Sequence, residues 1–246
     1  MSAAGAQPPG ASDEQSSAAA VRQMFNSIAP RYDLLNHVLS CNIDRAWWNR
    51  TARHFGKILA RPEASILDIC CGTGDMTLAL LRRRPQSARP LLAADFSHAM
   101  LARGTEKLKS RNVIAVEADA LHLPLPDNSL DLITTAFGFR NLANYEAGLR
   151  EFHRVLRPGG ELGILEFNEP GGIVGKVYAV YFRRILPAIG ARVSGTGNTY
   201  AYLPASVHRF PTPTEMISLM RRTCFAEVSW RPYTFGIAGL YRGIKV

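Results

Sequence analysis

Short apolar runs alternate with helical repeats of apolar residues along most of this chain. Apolar runs bounded by turn residues are typical of strands that are buried on both faces of a parallel sheet. We predict five such strands, over residues 65–70, 91–95, 113–117, 130–135 and 161–167. Helical patterns follow several of them, for example from Ser97 to Lys109 and from Asn144 to Leu156. This alternation predicts a doubly wound α/β domain with helices on both faces of the sheet and right-handed crossovers.

The N-terminal part of the chain changes character near residue 20. Residues 1–19 are mostly Ala, Gly, Pro, Ser and Gln, so they cannot offset the entropy of ordering, and we predict a disordered tail. Residues 20–246 are predicted to form one domain. Its first part, residues 20–60, is predicted to be a helical cap, because Val21 and Phe25 begin an apolar face at helical spacing.

The alternation stops after Pro170. We predict that residues 171–212 form an insertion on the substrate or membrane side, with an apolar helical segment over 173–189 and a loop-rich stretch over 195–213. A helix and two strands then close the domain, over residues 214–222, 226–230 and 237–245.

The first predicted strand leads into the loop Asp68-Ile69-Cys70-Cys71-Gly72-Thr73-Gly74-Asp75. Ligands of open parallel sheets bind beyond the carboxyl ends of the strands, and Gly72 and Gly74 allow the backbone to turn sharply and approach a ligand. A dinucleotide-binding loop would have a third glycine at Thr77, and the carboxylates of Asp68 and Asp75 would repel a pyrophosphate. These acids favour a ligand with an ammonium and a sulfonium, S-adenosylmethionine (SAM). Two glycines alone are also typical of other tight turns.

Acidic residues also follow the next two predicted strands. Asp95 can accept hydrogen bonds from both ribose hydroxyls of an adenosine, whether the ligand is SAM or NAD. Asp119 can accept one from the adenine amino group, and the small Ala120 leaves room for the ring. A role as a helix or turn cap is an equal alternative for Asp119.

The fourth predicted strand is followed by Phe137-Gly138-Phe139-Arg140-Asn141. Residues at this place would face the transferred methyl group and its acceptor. We predict that Arg140 stabilises an anionic oxygen of the acceptor and that Asn141 orients one. The alternative for Arg140 is an ion pair with a carboxylate at the end of the sheet.

Several segments of the chain together resemble one family, the ubiquinone/menaquinone biosynthesis C-methyltransferases. They occur in order as 32–36 with Ser40 and Trp47, 70–75, 137–141, 154–160, 166–167, 200–206 and 236–245. The resemblance extends from about residue 21 to residue 246. The chain departs from the family pattern at Leu35, at Asp44-Arg45, at Asn168 and at Ala136, where the family commonly has Met, a His-containing stretch, Ser and Ser.

The resemblance implies a SAM-dependent methyltransferase of Rossmann-like fold. Its mostly parallel sheet would have seven strands, the last of them antiparallel, with helices at the N-terminus. It also implies SAM contacts at Thr73, Asp95, Asp119 and Ala120. We expect Tyr32 and Asp33 to close the acceptor side together with Arg140 and Asn141; an ordinary core position is an equal alternative for Tyr32.

The resemblance further implies C-methylation of a polyprenylated quinol. We expect conversion of demethylmenaquinol to menaquinol. The alternative acceptor is the 2-methoxy-6-polyprenyl-1,4-benzoquinol of ubiquinone biosynthesis, and no residue distinguishes the two. A SAM-binding scaffold without turnover is a further alternative.

The chain is basic, with 29 Lys and Arg against 20 Asp and Glu. The net charge of +9 favours polyanions, although charge spread along a chain also serves solubility alone. A nucleic-acid-binding methyltransferase is the alternative from another class and would have Lys and Arg interleaved with aromatic residues along one groove. The basic run Arg82-Arg83-Arg84 is better explained by solvation and the helix dipole, and we expect no nucleic acid partner. The acceptor and the basic 173–189 segment instead predict peripheral membrane contact.

The sequence also bears on location. No apolar run approaches the ~20 residues that span a bilayer, and no secretory signal is present. We expect a cytoplasmic protein, with peripheral attachment to the inner face of the cytoplasmic membrane as an option. Cys70 and Cys71 are adjacent and lack metal-ligand spacing, so no metal site is expected. Formation of a homo-oligomer stays open.

Overall fold

The computed structural model describes residues 5–29, 42–172, 175 and 199–246. Its helices are α1 (Glu14–Ile28), α2 (Ile43–His54), α3 (Gly56–Leu59), α4 (Asp75–Leu81), α5 (His98–Lys107), α6 (Tyr145–Val155), α7 (Thr199–Arg209) and α8 (Pro213–Arg222). Its strands are β1 (Ile66–Ile69), β2 (Leu91–Asp95), β3 (Val113–Glu117), β4 (Leu130–Ala136), β5 (Leu156–Phe167), β6 (Phe225–Tyr233) and β7 (Ala238–Lys245).

The strands form one seven-stranded sheet in the order β3-β2-β1-β4-β5-β7-β6. The first five strands are parallel, and β7 runs antiparallel to both β5 and β6. The predicted mostly parallel sheet of seven strands is therefore confirmed. Because the chain leaves β1 in one direction and β4 lies on the other side of it, the loops after these two strands diverge and open a crevice.

The core lies on both faces of the sheet. Consecutive residues of a strand point to opposite faces, and Leu132 and Ile133 of β4 accordingly belong to two different apolar clusters. One cluster includes Phe152 of α6, and the other includes Trp47 of α2 and Leu80 of α4. Burial on both faces explains why apolar residues outnumber polar ones in β1 and β4.

The chain becomes helical earlier than predicted. Helix α1 begins at Glu14, where the Asp13 side chain accepts a hydrogen bond from Ser16 N at 2.7 Å and Ser16 Oγ accepts one from Asp13 N at 3.1 Å. The predicted disordered tail is therefore wrong for residues 14–19. The composition misled because the segment packs through small residues: Ser17 is buried and its hydroxyl donates to the carbonyl of Ala6.

The predicted loop-rich stretch over 195–213 is also wrong in part, because α7 occupies Thr199–Arg209. Ser206, Val207 and Phe210 are buried on one side of it, at helical spacing. Of the proposed insertion over 171–212, the apolar segment 173–189 lies outside the described residues, apart from Gly175. Among the described helices, none combines the length and apolar character needed to cross a membrane.

Candidate active site

A cleft of about 660 Å³, open to solvent, lies at the carboxyl ends of β1, β2, β3 and β4. The walls come from α1, the loop after β1, the beginning of α5 and the loops after β3 and β4. Five residues predicted from sequence line it, namely Gly72, Asp95, Asp119, Ala120 and Asn141.

The loop after β1 reaches the cleft through a left-handed backbone. The φ angles are 56° at Cys70, 55° at Gly72 and 88° at Gly74. Gly74 is the residue before α4, and a Cβ atom there would lie 2.9 Å from Cδ1 of Leu108. Position 74 therefore requires glycine for both its conformation and its packing.

Asp95 connects this loop to the end of β2. Its carboxylate accepts hydrogen bonds from Gly72 N at 2.8 Å and from Ser97 N at 2.9 Å. Burial raises the pKa of Asp95 to about 6, although these backbone hydrogen bonds oppose the shift. The carboxylate is therefore mostly ionised at neutral pH, and it lines the cleft where it can accept further hydrogen bonds.

The two acids that flank the glycine loop have other partners in the structure. Asp68 is fully buried and accepts hydrogen bonds from Thr77 Oγ1 at 2.6 Å and Thr134 Oγ1 at 2.8 Å. Asp75 forms an ion pair with Lys107, whose Nζ lies 2.5 Å from Asp75 Oδ1. Of the described residues, neither acid lines the cleft, so the prediction of Asp68 as a SAM ligand is not supported. Its carboxylate instead joins β1, α4 and β4 beneath the loop.

Asp68 should make the stability of the protein depend on pH. Burial raises its pKa from 3.8 to about 7, so the folded state binds a proton that the unfolded state has lost between these values. The stabilisation is complete below pH 4 and is lost as the pH rises through 7. We expect Asp68→Asn, which is neutral at every pH, to gain up to about 4 kcal/mol relative to wild type between pH 4 and pH 8.

Urea unfolding of both proteins at pH 4 and pH 8 measures this change. Asp95 titrates in both proteins, so the difference reports Asp68 together with its electrostatic coupling to Asp95. A stability difference that is the same at the two pH values would contradict the assignment.

The other predicted cofactor residues divide into two groups. Ala120 is buried and lines the cleft, and Asp119 lines it while its carboxylate also accepts a hydrogen bond from Leu121 N at 2.9 Å. Asp119 is thus a turn cap that also lies in the cleft, and its contact with adenine stays a prediction. Thr73 is buried within the loop and Gly74 caps α4; within the described part of the chain, neither is a lining residue.

Arg140 makes the ion pair that was the alternative to contact with the acceptor. Its Nη1 lies 2.8 Å from Oε1 of Glu166, near the end of β5, and both side chains are buried. The guanidinium also donates to the carbonyl of Phe137 and, through Nε, to Ser206 Oγ at 3.3 Å. Arg140 therefore supports the loop after β4 from behind the cleft.

Asn141 is the polar residue that this loop presents to the cleft. Its Oδ1 accepts a hydrogen bond from the Tyr202 hydroxyl of α7 at 3.0 Å, and its Nδ2 lies 3.4 Å from the carbonyl of Phe137. Because a carbonyl can only accept, its contact with the Phe137 carbonyl identifies Nδ2 as the donor side of the amide, and the Tyr202 hydroxyl holds Oδ1 on the other side. Tyr32 and Asp33, the other two predicted catalytic residues, lie outside the described residues.

Sequence reasoning missed the apolar walls of the cleft. Ala18 and Phe25 of α1 line it, together with Phe96 and Met100 near the beginning of α5. Asn26 holds α1 in place by accepting a hydrogen bond from Ser97 Oγ at 2.7 Å. The apolar helical face that includes Phe25 and the position of Phe96 directly after Asp95 were the available signals.

The hydrogen-bond acceptors and apolar side chains that line this cleft fit SAM. A carboxylate at the end of β2 can accept from ribose hydroxyls, and the apolar side chains of Phe96, Met100 and Ala120 beside it can enclose a planar ring. Asp119 adds a second acceptor next to that apolar wall. A single acidic residue at the end of β2 also fits NAD, so the family must decide between the two.

The family model of the ubiE/COQ5 methyltransferase family matches residues 12–245. The chain belongs to this family. It is 46% identical over 240 residues to a demethylmenaquinone methyltransferase of Deinococcus radiodurans, covering 96% of this chain and 97% of that protein. It is 45% identical over 223 residues to a demethylmenaquinone methyltransferase of Thermus thermophilus, covering 89% and 99%.

Solved structures agree on the fold. The crystal structure of a SAM-dependent methyltransferase from Thermotoga maritima aligns with a TM-score of 0.65 at 19% identity, covering 92% of this chain and 100% of that one. The predictions of family, Rossmann-like fold, methyltransferase activity and SAM as cofactor are confirmed.

Proposed function

We propose that this chain transfers the methyl group of SAM to a ring carbon of demethylmenaquinol and so forms menaquinol. The observation that carries the proposal is the 45–46% identity, over nearly the whole chain, to two proteins named demethylmenaquinone methyltransferase. The cleft supports it, because one wall offers acceptors for an adenosine and another offers an amide toward a second ligand.

The cofactor side of the cleft consists of Asp95, Asp119, Ala120 and the loop at Gly72. Bound SAM supplies an electrophilic methyl group on a sulfonium. Asp95 would accept from the ribose hydroxyls while Gly72 N and Ser97 N keep its carboxylate in place. Ala18 and Phe25 of α1 would cover the ligand and exclude water from this side.

The acceptor side consists of Asn141, Phe137 and Leu142. A hydroquinone carbon becomes nucleophilic when a ring hydroxyl loses its proton, because the oxyanion donates charge into the ring. Nδ2 of Asn141 would donate to that oxygen and favour the anion. Arg140 would act through the loop that it supports, and Tyr32 and Asp33 remain proposed acceptor-side residues. The carbon must be held about 3–3.5 Å from the methyl group.

Replacing Tyr202 with phenylalanine tests the orientation of Asn141. Without the hydroxyl at 3.0 Å, the amide can rotate and present its oxygen to the acceptor. We expect kcat to fall about fivefold, the effect of one hydrogen bond of about 1 kcal/mol, while the Kd of SAM changes less than twofold. Steady-state kinetics and calorimetry measure the two quantities.

Tyr233→Phe is the matched control for this variant, because its hydroxyl is also buried but contacts Thr51 of α2 at 3.4 Å. Its kcat should match that of wild type. An unchanged kcat in Tyr202→Phe, or a parallel loss of SAM affinity, would refute the positioning role.

The choice of acceptor is tested with labelled SAM and two quinols. We expect kcat/KM for demethylmenaquinol to exceed that for 2-methoxy-6-polyprenyl-1,4-benzoquinol at least tenfold, the size of a discrimination made by pocket shape. A preference for the benzoquinol would overturn the proposed substrate and leave the enzyme class intact. Both acceptors carry isoprenoid tails, so the proposal includes peripheral contact with a membrane, and the net charge of +9 supports it.

A further inference from the structure

The turn Thr234–Gly236 between β6 and β7 combines backbone strain with exposure. Its three residues have φ angles of 44°, 57° and 89°. Phe235 is 84% exposed, the highest value among the large apolar side chains of the described residues. A bulky residue in the left-handed region is unfavourable, and this one gains no burial within the fold. Strain of this kind is typical of functional positions.

The turn lies at the same edge of the sheet as the cleft. Phe167, the last residue of β5, pairs with Ala238, and Tyr233 pairs with Ala238 from the other side. The turn between β6 and β7 therefore projects from the carboxyl end of β5.

A chain of contacts joins the turn to the cleft. Nε1 of Trp47 donates to Thr234 Oγ1 at 2.8 Å, and the Trp47 ring lies 5.8 Å from the ring of Phe137, which lines the cleft. Phe235 is thus the residue next to Thr234, where this series of contacts ends. Whatever binds Phe235 is held close to the mouth of the cleft.

Exposed apolar and basic side chains lie on the two elements next to this turn, α2 and β6. Ile43, at the beginning of α2 and one turn before Trp47, is 40% exposed. Arg50, on the same flank of α2 as Ile43, lies 4.5 Å over the ring of Tyr233, and Arg231 of β6 is exposed near the same ring. We call Ile43, Arg50, Arg231 and Phe235 the Phe235 surface.

Acidic residues near this surface have partners. Asp44 is buried and accepts a hydrogen bond from Arg45 N at 2.7 Å, and Glu169 pairs with His208 at 3.0 Å. The exposed charge of the Phe235 surface is therefore positive.

We propose that the Phe235 surface docks on an anionic lipid bilayer, with Phe235 and Ile43 inserted and the two arginines at the headgroups. This rests on the proposed function in one respect, that the acceptor resides in the membrane. Charge complementarity selects the partner, since each arginine near an anionic leaflet strengthens binding. A second copy of the chain fits less well, because a two-fold contact through this surface would oppose arginines to arginines.

Phe235→Gly separates docking from folding. Glycine adopts a positive φ without strain, so we expect the melting temperature to stay level or rise. Binding to vesicles of phosphatidylglycerol and phosphatidylcholine, measured by flotation without SAM or quinol, should weaken about tenfold, as expected for a phenylalanine removed from a bilayer. Ile114→Ser is the control, because Ile114 is 49% exposed on β3, at the far side of the sheet, and its loss should leave binding unchanged.

The charge contribution has its own pair of variants. Arg50→Ser/Arg231→Ser should bind these vesicles about 30-fold more weakly at low salt, since each arginine near an anionic leaflet contributes about 1 kcal/mol. Arg82→Ser/Arg111→Ser, which changes the net charge equally at the amino ends of the strands, should bind like wild type. Pure phosphatidylcholine vesicles should not distinguish these two double variants.

Several results would overturn the proposal. They are unchanged vesicle binding by Phe235→Gly, a lower melting temperature in that variant, equal losses in the two double arginine variants, or a dimer that sediments in wild type and disappears in Phe235→Gly. Failure of the proposed function is distinguishable, since vesicle binding requires no quinol. Conversely, Phe235→Gly should methylate a short-tailed, water-soluble quinol at the rate of wild type.

Discussion

Arg140→Ala is expected to lower the free energy of unfolding by about 3–5 kcal/mol, because it leaves the carboxylate of Glu166 buried without its partner. Glu166 is fully buried, and its oxygens accept from both the guanidinium and the backbone N–H of Arg140, at 2.8 and 3.1 Å. Denaturant unfolding monitored by circular dichroism measures the loss.

Two controls define this result. Arg150→Ala breaks an exposed ion pair with Glu146, 2.6 Å long, and should cost no more than about 0.5 kcal/mol. Arg140→Met/Glu166→Leu removes both buried charges and should recover most of the stability. A loss below about 1 kcal/mol in Arg140→Ala would contradict a buried pair.

The same variants separate structure from chemistry at Arg140. We expect Arg140→Ala to retain most of its SAM affinity but to lose turnover, because Arg140 supports the acceptor-side loop through the carbonyl of Phe137. Turnover that stays low in the stable double variant would indicate that the loop needs the guanidinium itself. A loss confined to SAM affinity would indicate that Arg140 acts on the cofactor side of the cleft and would contradict its assignment to the acceptor side.

Asp95→Ala should raise the Kd of SAM about 10- to 150-fold, since hydrogen bonds to a charged acceptor contribute about 1.5–3 kcal/mol. The carboxylate also anchors Gly72 and Ser97, so its removal loosens the cofactor loop. Isothermal titration calorimetry measures the affinity directly.

Asp75→Ala is the decisive control for this prediction. Asp75 also belongs to the glycine loop, but it pairs with Lys107, and its loss should change the Kd less than threefold. Wild-type affinity should also decline as the pH falls below about 6, where Asp95 becomes protonated. Equal effects of the two substitutions would mean that Asp95 has no direct contact with the ligand.

The sheet could be predicted from sequence because its central strands are buried on both faces, which leaves apolar runs such as residues 91–94 of β2. The beginning of α1 could not be predicted, because Ser17 packs through a small side chain, and a composition rich in small residues is typical of disordered tails. Helix α7 was not predicted either, because it contains Pro204 and proline usually interrupts a helix.

The site was predicted less evenly. SAM was inferred in part from Asp68 and Asp75. In the structure, however, Asp68 is a buried carboxylate that links β1 to β4, and Asp75 forms an ion pair with Lys107. The spacing of residues in the sequence does not identify ion-pair partners that are far apart along the chain. Glu166 reaches Arg140 only because β5 pairs with β4.

The central claim is methyl transfer to carbon, and the position of the new methyl group tests it most directly. Purified protein is incubated with SAM labelled with ¹³C in its methyl group and with demethylmenaquinol, and the product is examined by nuclear magnetic resonance. We predict a single labelled methyl group attached to a ring carbon of menaquinol. Label found on a quinol oxygen, or no transfer to this acceptor while SAM binds normally, would contradict the account.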